Sequence, residues 1–127
     1  MDNSELQKVV DAWIAGQDAE EGSPPYKSNW WAIERVIDWG VLNYKPELLW
    51  RFILAALQQE LSDSVVGNIA AGPLEDLLDK HGPDYIDRVE ALARKDERFN
   101  HMLGGVWIDS MTDEVQERIK SVRRYVW

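Results

Sequence analysis

At 127 residues the chain is long enough for one ordinary hydrophobic core and too short for two. Its 45% apolar content excludes a disordered acidic tail, no run approaches the roughly 18–20 apolar residues of a membrane span, and the absence of cysteine removes disulfide and thiolate chemistry. The net charge of −9 repels phosphate backbones, which argues against nucleic-acid binding and suits a basic protein partner.

The acidic excess lies towards the front: residues 1–63 carry 11 acids against 5 bases, and residues 64–127 carry 12 against 9. The opening Met-Asp-Asn-Ser-Glu is acidic where a signal peptide is basic, so a cytoplasmic protein with no membrane association is expected. Seven tryptophans stand out, since large aromatics serve either as core volume or as interface anchors.

Helical periodicity dominates in chain order. Ser4 is placed to cap a first helix over 5–16, with Leu6, Val9, Val10, Trp13 and Ile14 on one stripe and Gly16 at its end. Residues 17–27 read as an acidic surface loop stiffened by Pro24-Pro25. Ser28 then caps a second helix to 43, and Pro46 opens a third, apolar nearly all round, through Glu60.

From Ser62 onward the spacing predicts short helices with clear stops. Gly72-Pro73 and Gly82-Pro83 each pair a terminating glycine with a proline suited to the first turn of the next helix. A helix over 83–95, another over 97–103 ended by Gly104-Gly105, and a last one capped by Thr112 with a Val115, Ile119, Val122 and Val126 stripe complete the chain. Only 105–108 hints at a strand. The expectation is a single all-α domain over 1–127, with seven to eight short helices in stacked antiparallel hairpins, an irregular HEAT-like arrangement.

No motif marks an enzyme. A phosphate-binding loop, a nucleophile elbow and an EF-hand loop are all missing, and neither cofactor nor metal is expected. The two histidines, His81 and His101, lack metal-ligand spacing; His81 suits the last turn of a helix, where it complements the dipole, and His101 reads as a surface or edge residue.

The second helix is the most informative segment. Trp30, Ile33, Ile37, Gly40, Val41 and Tyr44 gather on one side, read as the core face; Trp31, Glu34, Arg35, Asp38 and Leu42 lie on the other. Trp31 is thus either covered by the preceding loop or the first helix, or is an aromatic anchor ringed by carboxylates. With the loop acids, the second reading selects Asp18, Glu20, Glu21, Trp31, Glu34 and Asp38 as partner-binding residues.

Ala71-Gly72-Pro73-Leu74-Glu75-Asp76-Leu77-Leu78, His81-Gly82-Pro83, the stretch 86–93, Phe99 and Leu103-Gly104-Gly105-Val106-Trp107 together resemble a small bacterial domain family of unknown function. The resemblance covers the back half and implies a bacterial source, with no activity to carry over. Size, acidity, surplus tryptophan and this resemblance point to an immunity protein that neutralises a basic toxin by occluding its active site. A helical adaptor in a bacterial assembly and an acidic nucleic-acid mimic are the alternatives, the latter weakened by the bases interleaved after residue 80.

Overall fold

Asp2, not Ser4, opens the first helix: its carboxylate accepts the Glu5 N–H at 2.8 Å, and α1 runs Asn3–Asp18. The computed structural model describes residues 1–127 and divides into two compact units, Met1–Asn68 and Ile69–Trp127. The chain is all-α, with no strand even at 105–108, and no helix is long and apolar enough to cross a membrane.

In the first unit, α2 (Pro24–Ile37) begins four residues before the expected Ser28. Ser23 is the true cap, its Oγ accepting the Tyr26 N–H at 3.4 Å. The two prolines that looked like loop stiffeners occupy the first turn, where their missing N–H groups cost nothing because those donors are unpaired in any helix. Ser28 instead donates to the Pro25 carbonyl.

Gly16 does not end α1. A Cβ there would lie 3.0 Å from Ile33 Cδ1 and 3.3 Å from Asn29 Cβ, so the missing side chain lets α1 and α2 pack closely at this point. At its far end α2 passes into a π-helical turn, Asp38–Leu42, closed by the Asn43 N–H on the Asp38 carbonyl at 2.8 Å. Tyr44 takes a left-handed φ of 50°, and α3 (Pro46–Ala56) follows, ending four residues before the expected Glu60. Its Trp50, Phe52 and Ile53 are buried, with Trp13 of α1 meeting Phe52 edge-on at 5.3 Å between centroids. Ser62 caps α4 (Asp63–Ile69) as its sequence predicts, accepting the Val65 N–H.

The second unit shows the largest departure from expectation. Of the two glycine–proline pairs, Gly82-Pro83 does mark a helix boundary, whereas Gly72-Pro73 does not. A π-helical turn, Ala70–Leu74, carries the chain through Gly72-Pro73 into α5 (Glu75–Lys95). Within α5 the helix breaks at His81 (φ −131°, ψ 18°), and Gly82-Pro83 begins its second segment, as the pairing of a stop with a first-turn proline predicts. Both devices move the carbonyl that a helical proline ring would otherwise strike. Counting 63–95 as one run despite its break at His81, the helical runs number six, at 3–18, 24–42, 46–56, 63–95, 97–103 and 113–122, slightly fewer than the seven to eight helices expected.

Gly82 has a packing role like that of Gly16: a Cβ there would sit 3.0 Å from Val115 Cγ2 of α7 (Asp113–Val122). The principal helix pair in this unit is α5 with α7, which are not consecutive. The intervening α6 (Glu97–Leu103) has seven residues, about 10 Å of helix, too little to cover α5. A succession of consecutive hairpins thus does not continue here. Arg118 of α7 joins the pair by bonding both Asp87 and Glu90 of α5. After Val122 the chain is no longer helical, so Val126 leaves the expected stripe and is exposed.

Candidate protein-binding face on the second helix

The residues flanking the end of α2 form a shallow depression of about 430 Å³ lined by Trp31, Glu34, Arg35, Ile37, Asp38 and Leu42. Helical spacing brings Trp31, Glu34 and Asp38 onto one face, and the π-helical turn sets Leu42 beside them. Trp31 is 44% exposed and Leu42 67% exposed, so neither the loop nor α1 covers the indole.

Two local bonds shape this surface. The Arg35 guanidinium lies over the Trp31 ring, 5.7 Å from its centroid, a cation–π contact that holds the indole against its own helix. Asp38, which also lines the depression, accepts from the Asn43 side-chain amide, which restrains its carboxylate. Glu34 is exposed beside them.

Asp18, Glu20 and Glu21 are exposed but do not line the depression. Asp18 lies at the end of α1 and accepts from the Ser62 hydroxyl at 3.2 Å. The Glu20 carbonyl accepts the Ser23 N–H. Of the six residues selected from the sequence, the fold therefore gathers Trp31, Glu34 and Asp38.

The expected core face of this helix needs correction. Ile33 and Gly40 are buried, but Trp30, Ile37, Val41 and Tyr44 are exposed, and Ala32, Val36 and Trp39 fill the core in their place. The helix carries apolar residues on every side, so two stripes fit its periodicity about equally well. The π-helical turn then shifts the register of the residues beyond it. The exposed apolar surface is larger than the sequence reading allowed, and no local signal would have revealed it.

Elsewhere, His81 is half-buried at the α5 break, and His101 is exposed, stacked on Trp127. No group of three His, Asp or Glu side chains converges as a metal site requires.

A family model described as a family of unknown function, DUF6869, matches residues 19–126. The chain belongs to the DUF6869 family. The match begins at Ala19, so DUF6869 takes in α2 and α3 as well as the back-half elements that carry the resemblance. No curated protein and no solved structure matches the chain.

Proposed function

We propose that this DUF6869 domain is a protein-binding module that docks a basic partner through the outer face of α2. The observation that carries the reading is the depression in which Trp31 and Leu42 are exposed between the carboxylates of Glu34 and Asp38. Exposed aromatic and aliphatic anchors supply binding energy once water is excluded from around them, and flanking charges speed encounter and select the partner's sign. The net charge of −9 adds long-range steering. The partner class that fits best is a basic bacterial toxin whose active site is covered, which makes this domain an immunity protein.

The test is a comparison of variants on a defined partner. A protein captured from the native host is purified, and its association with the domain is followed at several salt concentrations. Charge reversal by Glu34→Lys with Asp38→Lys should lower the association rate by about tenfold or more and flatten its salt dependence. Trp31→Ala should speed dissociation. Unchanged rates in both variants would overturn the proposed face, and a partner that loses no activity when bound would overturn the immunity role.

A further inference from the structure

A second cavity lies wholly within Ile69–Trp127 and has a different chemistry. It measures about 290 Å³, near the lower end of the roughly 300–1,000 Å³ of small-molecule sites. Trp107, Trp127, Ile108 and Val126 supply its apolar walls; Arg123 and Asp109 are its charged groups.

Both tryptophans are held in place although exposed, Trp107 at 71% and Trp127 at 52%. The Trp107 indole donates to Asp109 Oδ2 at 2.8 Å, and its backbone N–H donates to Glu75 Oε1 at 3.0 Å. The Trp127 indole donates to the His101 carbonyl, its backbone N–H donates to the Gly104 carbonyl, and its ring stacks on His101 at 5.2 Å. With both indole N–H groups bonded, what the rings offer the cavity is apolar surface already in position, so little ordering cost remains for a ligand.

Arg123 supplies the specificity. One of its guanidinium nitrogens donates to the Val106 carbonyl at 3.1 Å, and no carboxylate lies within ion-pair distance. Burial lowers its pKa from the usual arginine value, as expected of a cation that has lost water without gaining a counter-charge. A guanidinium fork matches a carboxylate with two parallel bonds. Asp109 disfavours a second negative charge, which selects a monoanion over a phosphate dianion.

We infer that the cavity between Trp107 and Trp127 binds a small monocarboxylate carried on a flat apolar group, with the carboxylate on Arg123 and the ring against the indoles. The probe is phenylacetate, followed through the indole N–H resonances of Trp107 and Trp127, with phenylacetamide as the uncharged control. Phenylacetate should shift both resonances saturably, with Kd of about 1 mM given its size. The amide should bind at least about tenfold more weakly, and Arg123→Gln and Trp107→Ala should each lose about tenfold or more. If Arg123→Gln fails to fold, the amide comparison and the exposed-site Trp107→Ala variant still decide. Absence of a saturable shift up to about 20 mM, or equal binding of acid and amide, would overturn the assignment.

Discussion

Asn100 Oδ1 accepts the backbone N–H of Arg124 at 3.0 Å, and the same side chain donates from Nδ2 to the carbonyls of Ala93 and Val122. It is the buried polar residue of the chain, at 1% exposure. Ala93 and Val122 lie in the last turns of α5 and α7, where carbonyls lack helical partners. One amide therefore satisfies two helix ends and fixes the start of the tail that lines the cavity.

Replacing Asn100 by Leu keeps the branched shape and the number of heavy atoms but removes the amide, which strands those three backbone groups. A fully buried orphan costs about 1–3 kcal/mol. Here only the Ala93 bond is fully buried, while the Val122 and Arg124 bonds are part-buried and cost less, so the loss of stability should be about 2–4 kcal/mol in urea denaturation. A loss below about 0.5 kcal/mol would mean that the tail is not held by this residue.

The tail also explains Gly104 and Gly105, and it separates their roles. A Cβ on Gly104 would lie 2.5 Å from the Tyr125 backbone carbonyl, whereas one on Gly105 would lie 2.7 Å from the far edge of the Trp127 ring. A side chain can swing away and a backbone carbonyl in a bonded tail cannot. Gly104→Ala should therefore cost about 1–3 kcal/mol, more than Gly105→Ala. Gly105→Ala should instead release the indole, seen as a red-shifted tryptophan emission. Equal stability losses in the two variants would contradict this distinction.

The start of α2 can be tested with two serines. Ser23→Ala removes the cap and should cost about 1 kcal/mol. Ser28→Ala, lying inside the helix and exposed, should change stability by no more than about 0.5 kcal/mol. The reverse order in thermal melts would return the helix start to the later serine.

Two carboxylates should give opposite pH signatures. Burial, helped by nearby Asp79 and opposed by Lys80, raises the Asp76 pKa above its usual 3.8, so the fold favours its protonated form. Its stabilising contribution is full below 3.8 and is lost as pH rises through the folded value. Asp76→Asn should then raise Tm near neutral pH by about 2 °C and match the parent protein in acid. The hydrogen bond from Arg118 lowers the Glu90 pKa below its usual 4.5, so its contribution is present above that value and fades as pH falls through the folded one. Glu90→Gln should lower Tm near neutral pH, with the gap closing on acidification. Parallel pH profiles for the two variants would refute these assignments.

Local chemistry was sufficient for much of this molecule. The 3.6-residue spacing of apolar residues determined the all-α class, Ser62 and Thr112 announced the helices they cap, and the polar-face position of Trp31 placed it beside Glu34 and Asp38 before any fold was known. These are properties of residues within one or two turns of each other. The tertiary structure decided the rest. Gly82 and Gly104 lie at helix boundaries as read locally and Gly16 does not, yet at all three what leaves no room for a side chain comes from a distant segment: Val115, the Tyr125 carbonyl and Ile33. Likewise α2 presents two apolar stripes, and only its packing partners select Val36 over Ile37 and Trp39 over Val41 for burial. Sequence spacing fixes which residues share a face, but which face is buried depends on the surface it meets, and that surface is made by residues far away in the chain.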